Sequence, residues 1–190
     1  MDTNKIAEIL NNGGVIAFVT DTVWGIGCLP TSQKAVERIY EIKHRDTKKP
    51  LILMSDSDKY LRKYVKPLSI LANELIKKHF PGALTLVVNK SDNTPDYITS
   101  GLQTVGIRVP NNKTFAQICQ SIDGHVLATT SANLSNEPPA LNYGEAVKYI
   151  GDKVDLGVED YGEKGQGRAS TVAGISPKGI TIFRQGDVIL

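Results

Sequence analysis

The sequence predicts an α/β protein of the α+β type, with helices flanking one twisted, mixed β-sheet. Segments of helical periodicity alternate with short apolar runs, but without a strict strand–helix–strand rhythm. Long loops join several of the predicted strands, which also favours a sheet of mixed direction. The chain has 190 residues, of which 41% are hydrophobic and 22% charged. These values predict one domain over residues 1–190 and exclude wholesale disorder.

A helix, a buried strand and a second helix are predicted in the first part of the chain. The first helix is expected over 4–10, because Thr3 can cap it and the stretch 11–14 can end it. The run 15–19 is apolar throughout, as in a central strand that is covered on both faces. Apolar residues then recur at helical spacing up to Lys43, where the second helix is expected to end.

Strands and helices continue to alternate in the rest of the chain. Apolar runs predict strands at 51–54, 83–89, 104–109, 126–130, 154–158, 171–175 and 180–184. Helical periodicity predicts helices near 57–64, 68–79 and 143–150, and one more between the strands at 104–109 and 126–130. The stretch 157–167 contains four glycines and several charges, so we expect a mobile surface loop there, of the kind that can act as a lid.

Composition and the absence of common motifs narrow the function classes. The net charge of +2 and the pI near 8.4 lie below the range of a dedicated nucleic-acid-binding domain. Cys28 and Cys119 stand far apart, so neither a disulfide framework nor a zinc site is expected. P-loop, GxGxxG, HExxH and CxxC motifs do not occur, and the three histidines form no recognisable catalytic arrangement. We therefore expect catalysis by positioning and charge stabilisation.

The sequence also bears on the compartment in which the protein works. No segment has the length and apolar character needed to cross a bilayer, and the N-terminal residues lack the regions of a signal peptide. We therefore expect a cytoplasmic protein with no membrane partner.

The first candidate site follows the apolar run at 15–19. Thr20, Asp21 and Thr22 come directly after it, and two glycines follow within a few residues. In open α/β sheets, groups just beyond the end of a buried strand often hold a small ligand. An ordinary strand-to-turn transition, in which the glycines shape a bend, explains the same pattern. Taken alone, this segment is better explained by the ordinary turn.

Other polar clusters also follow predicted helices and strands. Lys43, Arg45, Lys48 and Lys49 fall within seven residues and suit a polyphosphate, although a solvated turn after a helix is an alternative. Ser131 and Asn133 can grip carboxylate or phosphate oxygens, or they can cap a helix. Two arginines within apolar runs are explained by ligand pairing or by exposure at a sheet edge; these are Arg108 and Arg184.

Seven blocks of the chain, in the same order, resemble the YrdC family of threonylcarbamoyl-AMP synthases, and the resemblance extends from about Ile6 to Leu190. They are VTDTVWGIG, KHRDTKKPL, FPGALTLV, TVGIRVP, TTSANLS, GRASTV and FRQG. The resemblance implies a YrdC-like fold with a basic concave cleft. It also implies an ATP-dependent reaction of L-threonine with bicarbonate or CO2 that gives threonylcarbamoyl-adenylate and pyrophosphate, for the threonylcarbamoyladenosine modification of tRNA.

The resemblance also implies roles for particular residues. Lys43 and Arg45 resemble the catalytic, phosphate-binding pair of the family. The positions that resemble threonine-binding residues are Thr20, Thr22, Arg108, Thr129 and Ser170. The positions that resemble ATP-binding residues are Lys43, Arg45, Lys49, Thr104, Ser131, Asn133 and Arg184. Mg2+ is implied as the companion of ATP, with no protein ligand assigned to it.

Three residues depart from the pattern of the family. Val19 stands where the family commonly has proline, Trp24 where it has tyrosine, and Gly174 where relatives often have aspartate. Longer relatives carry a further C-terminal domain, so the resemblance implies the single-domain bacterial type, whose tRNA-transferring partner is a separate protein. Two alternatives stay open: a module that binds double-stranded RNA or tRNA, and a paralogue with a different carbamoyl or acyl substrate.

Overall fold

The computed structural model describes residues 1–134 and 138–190. The helices are α1 (Thr3–Asn11), α2 (Gln33–Lys43), α3 (Asp58–Leu61), α4 (Ile70–His79), α5 (Asp96–Thr99), α6 (Lys113–Gln120) and α7 (Tyr143–Ile150), and a 3-10 turn, Arg62–Tyr64, follows α3. The strands are β1 (Ile16–Phe18), β2 (Gly25–Cys28), β3 (Ile52–Ser55), β4 (Leu84–Asn89), β5 (Thr104–Arg108), β6 (Val126–Ser131), β7 (Leu156–Gly157), β8 (Thr171–Ser176) and β9 (Gly179–Arg184).

The strands of the described residues form one nine-stranded sheet in the order β7-β1-β2-β6-β3-β5-β4-β8-β9. The pairs β1–β7, β3–β5 and β4–β8 are parallel, and the other neighbours are antiparallel. The predicted mixed sheet flanked by helices is therefore confirmed. Among the helices of the described residues, none combines the length and apolar character that a membrane crossing requires.

Each face of the sheet carries its own apolar cluster. Leu53 in β3 and Ala128 in β6 are paired, and they pack in one cluster with residues of α2 and α4. Their neighbours in sequence, Met54 and Leu127, point to the opposite face because side chains alternate along a strand. There they pack in a second cluster with residues of α1 and α6. The sheet is thus covered by helices on both faces.

The second face, which we call the cleft face, is only partly covered by α1 and α6. Paired residues of neighbouring strands point to the same face, so Ser131 and Thr129 in β6 share this face with Leu127. Ile52 is the partner of Thr129, and Arg108 is the partner of Met54, so the same face continues across β3 and β5. Polar groups from several strands are therefore exposed together on one part of the cleft face.

Strand β2 corrects the expectation that Gly25 and Gly27 shape a bend. Both glycines lie in a strand that pairs with β1 on one side and with β6 on the other. A Cβ atom at Gly25 would lie 2.9 Å from Phe18 Cε2, and one at Gly27 would lie 3.0 Å from the carbonyl oxygen of Ala128. The glycines are needed because the ring of Phe18 and the backbone of β6 approach closely here.

The glycine-rich stretch 157–167 makes defined contacts with two other parts of the chain. The carboxylate of Glu163 accepts hydrogen bonds from the backbone nitrogens of Lys113 (3.0 Å) and Thr114 (2.8 Å) at the start of α6. The backbone nitrogens of Gln166 and Gly167 donate to the carbonyl oxygens of Asp21 and Thr22. The stretch is thus attached to the turn after β1, while its mobility and its role as a lid stay predictions.

Candidate active site

The exposed part of the cleft face is the floor of a concave cleft. The cleft encloses about 720 Å³, a volume that includes space open to solvent. Polar groups from seven separate segments reach it. Of the residues predicted from the sequence, those that line it are Thr20, Thr22, Arg45, Arg108, Thr129, Ser131, Ser170 and Arg184.

The turn after β1 is held by its own hydroxyl groups. Thr20 Oγ1 donates to the carbonyl oxygen of Val23 at 2.6 Å and accepts a hydrogen bond from the backbone nitrogen of Thr22 at 3.1 Å. The two hydroxyl oxygens of Thr20 and Thr22 are 3.1 Å apart. Both side chains are almost fully buried. The two threonines therefore shape this wall of the cleft as well as lining it.

Arg108 is fixed by three partners from two distant parts of the chain. Its guanidinium donates to Asp21 Oδ1 (2.5 Å), Thr22 Oγ1 (2.8 Å) and the carbonyl oxygen of Gly82 (3.0 Å). The residue is 4% exposed. Burial lowers the pKa of Arg108, and the charge of Asp21 opposes that shift. A guanidinium has five N–H groups, so this geometry leaves N–H donors beyond the three partners for a ligand in the cleft.

Ser170 links the other side of the cleft to Arg184. Its hydroxyl oxygen lies 2.9 Å from Thr85 Oγ1 in β4. Arg184 donates from Nε to the carbonyl oxygen of Ser170 at 3.0 Å and from Nη2 to the Ser170 hydroxyl at 3.2 Å. The guanidinium of Arg184 is thereby held at the edge of the cleft by one buried serine.

Arg45 brings a third positive charge to the cleft, from the turn after α2. Its Nε donates to the carbonyl oxygen of Lys49 (3.2 Å), and its Nη2 donates to that of Pro50 (3.1 Å). Both acceptors are neutral backbone groups, so neither hydrogen bond is to a carboxylate. Arg45 is half-buried and lines the cleft, which suits it to an anionic ligand.

Lys43 lies beside the cleft and is hydrogen-bonded to the last residue of β6 and to the segment that follows it. Its Nζ donates to the carbonyl oxygens of Ser131 and Asn133, both at 2.5 Å, and to Asn133 Oδ1 at 2.9 Å. The Ser131 hydroxyl also donates to Asn133 Oδ1, at 2.6 Å. Lys43 is 1% exposed. Burial, reinforced by the nearby charge of Arg45, lowers the pKa of Lys43 to about 7.

The charges of the cleft favour an anionic ligand with several oxygens. Arg45, Arg108 and Arg184 supply three guanidinium groups, and Thr20, Thr22, Thr129, Ser131 and Ser170 supply hydroxyls. None of the described lining residues carries a carboxylate. Such a donor-rich surface is suited to binding phosphate and carboxylate oxygens. It is also suited to stabilising the negative charge that develops when a phosphoryl group is transferred to a carboxylate-type oxygen.

Comparison with known proteins assigns the chain to a family. A family model described as "Telomere recombination", which covers Sua5, YciO and YrdC, matches residues 8–186. The chain belongs to the Sua5/YciO/YrdC family. Relatives of this family include the threonylcarbamoyl-AMP synthase of Pseudoalteromonas translucida, 37% identical over 80% of this chain and 81% of the relative. That of Idiomarina loihiensis is 31% identical over 96% of this chain and 97% of the relative.

Solved structures of the Sua5/YciO/YrdC family have the same fold. P. abyssi Sua5 complexed with L-threonine superposes with a TM-score of 0.91 at 30% identity and covers 97% of this chain. This chain spans 54% of that Sua5, about half of its length. E. coli YciO superposes with a TM-score of 0.86 at 24% identity, over 97% of this chain and 89% of YciO. The YrdC-like fold expected from the sequence is confirmed.

Four residues that the family resemblance singled out do not line the cleft. Lys43 and Asn133 lie directly beside it, through their contacts with Ser131. Lys49 is exposed, and its carbonyl oxygen accepts hydrogen bonds from Arg45 and from the hydroxyl of Tyr40. Thr104 shares the cleft face with Arg108 but lies about 13 Å from it, at the other end of β5. Their predicted roles stay predictions.

Thr85 is a site residue that the sequence did not indicate, and Asp21 was expected in the polar turn after β1 but without an assigned partner. Asp21 forms an ion pair with Arg108, and its side chain is 13% exposed. Thr85 lines the cleft beside Ser170. The carboxylate of Asp21 is visible within the family motif, but its partner lies 87 residues away in sequence. No signal in the sequence relates Thr85 to Ser170.

Two departures from the family pattern lie at the turn after β1. Val19 and Trp24 are both fully buried. The ring of Trp24 packs against Tyr143 with ring centroids 5.9 Å apart, and Trp24 also lines the cleft. Its indole N–H has no hydrogen-bond partner among the described residues. The tryptophan therefore keeps an aromatic wall in this member of the family.

The low pKa of Lys43 predicts a pH-dependent stability. Between about pH 7 and 10.5 the unfolded chain holds a proton that the folded chain has lost, so raising the pH favours the folded state. We expect Lys43→Met to remove this dependence. From pH 7 to 8.5, the free energy of unfolding of the native protein should rise relative to that of the variant by up to about 2 kcal/mol.

Urea denaturation at the two pH values measures this difference. Lys49→Met is the matched control, because it removes the same charge from an exposed lysine. Equal pH dependence in the native protein and in Lys43→Met would contradict the assignment of a low pKa to Lys43.

Proposed function

We propose that this chain is a threonylcarbamoyl-AMP synthase, which joins L-threonine, bicarbonate or CO2, and ATP into threonylcarbamoyl-adenylate and releases pyrophosphate. The observation that carries the proposal is the donor-rich cleft, in which buried Arg108 and half-buried Arg45 face one space. Relatives that match over most of the chain are named threonylcarbamoyl-AMP synthase, and a related Sua5 was solved with L-threonine.

Two parts of the cleft suit the two substrates. Arg108 is anchored beside the hydroxyls of Thr20 and Thr22, which matches an amino acid with a carboxylate and a side-chain hydroxyl. Arg45 and Ser131 lie on the part of the cleft nearer to Lys43, which matches the phosphates of ATP. Threonine and ATP would then be held with the carbamate group close to the α-phosphorus.

The chemistry that follows requires no protein nucleophile. An oxygen of the threonine carbamate attacks the α-phosphorus, and the bond from that phosphorus to the pyrophosphate oxygen breaks. Negative charge increases on the departing pyrophosphate, and Arg45 is placed to stabilise it. Lys43 orients Ser131 and Asn133 through its three hydrogen bonds. When an anionic ligand enters, its charge favours the protonated form of Lys43.

Mg2+ is proposed as the companion of ATP. Within residues 1–134 and 138–190, no three His, Cys, Asp or Glu side chains are grouped so that they could hold a metal ion. Mg2+ prefers oxygen ligands and usually keeps several waters and the phosphates of a substrate. The ion would therefore be held by ATP and water, with the cleft hydroxyls as the nearest protein oxygens, and it would neutralise phosphate charge.

The remaining partners are proposed from the reaction itself. A mixed anhydride between a carbamate and AMP is reactive, so a separate protein that transfers the threonylcarbamoyl group to tRNA would have to consume it. Binding of double-stranded RNA or tRNA by this chain itself stays an alternative. It predicts an affinity that falls steeply with salt concentration.

The test is pyrophosphate release by the purified chain with ATP, bicarbonate and single amino acids. We expect release with threonine to exceed that with serine, alanine or valine, and to fall when dissolved CO2 and bicarbonate are removed. Mass spectrometry of the reaction mixture should show threonylcarbamoyl-adenylate. Equal release with threonine, with serine and without amino acid would refute the proposed substrate.

A further inference from the structure

Phe183 is a large apolar side chain that the fold leaves open beside the cleft. It is 63% exposed and lies directly before Arg184, which lines the cleft. A single exposed apolar residue is common on protein surfaces and by itself indicates no site. The position of this ring relative to the sheet is what makes it informative.

A β-bulge sets the direction of the Phe183 side chain. Val172 in β8 pairs with Arg184, and the next residue, Ala173, pairs with Ile182. Phe183 is therefore an extra residue on β9, where the register shifts. Bulges re-aim side chains and are frequent beside active sites.

The ring of Phe183 lies against Gly174 on the cleft face. A Cβ atom at Gly174 would be 2.6 Å from Phe183 Cε2 and 2.8 Å from Cζ, so a larger residue there would displace the ring. Val172 and Gly174 are two residues apart in β8 and therefore share one face of the sheet. Val172 lines the cleft. The ring thus extends the cleft from Val172 to Gly174, which is the next residue on the same face of β8.

The extended cleft has an aromatic end and a cationic end. Phe183 lies in β9, and Arg45 reaches the cleft beside Ile52 of β3, four strand spacings or about 19 Å across the sheet. Arg184 is between the ring and the rest of the cleft. A nucleoside triphosphate has the same polarity, with a flat aromatic base at one end and phosphates at the other.

We infer that Phe183 is the stacking partner of the nucleobase of ATP, and that Gly174 provides the space in which its ring lies. The inference rests on the proposed function, because it takes ATP as the ligand of the cleft. One side of the ring packs on the glycine and the rest is open to solvent, so a base can cover it. The departure of Gly174 from the family pattern is thereby explained as a match to Phe183.

The test is calorimetric titration of the full chain with ATP, GTP and tripolyphosphate. Stacking accepts any base, so Phe183→Ala should lower the affinities for ATP and GTP alike, on the order of ten-fold. Tripolyphosphate has no base, and its affinity should not change. Ile182→Ala is the matched control, because Ile182 is also exposed but pairs with Ala173 and faces the other side of the sheet. It should bind all three ligands as the native chain does.

Gly174→Ala supplies a second, independent variant. The added methyl group should push the ring aside and lower the affinity for ATP. In the double variant with Phe183→Ala, the same methyl group should lower that affinity little further. Additive losses in the double variant would contradict the inference. Thermal unfolding followed by circular dichroism checks that each variant is folded.

Other outcomes separate this inference from the proposed function. If the native chain binds ATP but Phe183→Ala binds it equally well, the stacking inference fails and the proposed function stands. If the native chain does not bind ATP, the proposed function is refuted, and the stacking inference that rests on it is refuted as well. If Phe183→Ala loses as much affinity for tripolyphosphate as for ATP, or differs from the native chain in oligomeric state without nucleotide, the ring serves folding or self-association and the inference is overturned.

Discussion

Arg108→Lys is expected to raise the KM for threonine on the order of 100-fold while leaving the KM for ATP nearly unchanged, because hydrogen bonds to charged groups contribute about 1.5–3 kcal/mol. Lysine keeps the positive charge but has no planar fork. It cannot reach Asp21, Thr22 and the carbonyl oxygen of Gly82 together. Steady-state pyrophosphate release at varied threonine measures the change.

Arg62→Lys is the matched control for this substitution. Arg62 lies in the 3-10 turn after α3, forms an exposed ion pair with Asp58 at 2.8 Å and is not among the residues that line the cleft. Exposed pairs of this kind contribute little, so both KM values should stay as in the native protein. If Arg108→Lys instead raises the KM for ATP and leaves that for threonine, Arg108 belongs to the nucleotide end of the cleft.

Arg45→Ala is expected to lower the affinity for ATP by roughly 10- to 100-fold, since charge-assisted hydrogen bonds to phosphate contribute about 1.5–3 kcal/mol. Among the described residues, the hydrogen bonds of its guanidinium go to the carbonyl oxygens of Lys49 and Pro50, which are neutral groups. The affinity for threonine should change little. Calorimetric titration with ATP and with threonine separates the two effects.

Lys48→Ala serves as the control for charge alone. Lys48 is exposed and lies three residues from Arg45, so its removal changes the net charge equally without touching the cleft lining. A loss of ATP affinity as large in Lys48→Ala as in Arg45→Ala would mean that the general positive field, and not a directed contact, attracts the nucleotide.

Local patterns in the sequence predicted most of the sheet and its helices. The apolar run at 15–19 contains β1, and the helical spacing up to Lys43 marks the end of α2. Both depend on periodicity within a few residues, which a sequence displays directly. Strand β2 was not predicted because Gly25 and Gly27 are weak strand formers. The ring of Phe18 and pairing on both sides outweigh that propensity.

Part of the candidate site could be predicted because its polar residues lie at, or just after, the ends of strands and helices. Thr20, Arg45 and Ser131 follow this pattern and line one cleft. The environment of each group could not be predicted in the same way. The sequence suggested Lys43 as a surface cation or a phosphate ligand, whereas the structure buries it against two carbonyl oxygens and an amide oxygen. Such contacts depend on the tertiary arrangement.

The long-range anchoring of Arg108 has a consequence for folding. Its side chain joins the turn after β1 to β5 across 86 and 87 residues, and the backbone of residues 166 and 167 closes on the same turn. Contacts between such distant segments carry a large loop-closure cost and form late. The part of the cleft that is proposed for threonine is thus expected to be absent until nearly the whole chain has assembled. Recovery of threonine binding during refolding would therefore report completion of the fold, and a ligand held there would connect the N-terminal and C-terminal parts of the sheet.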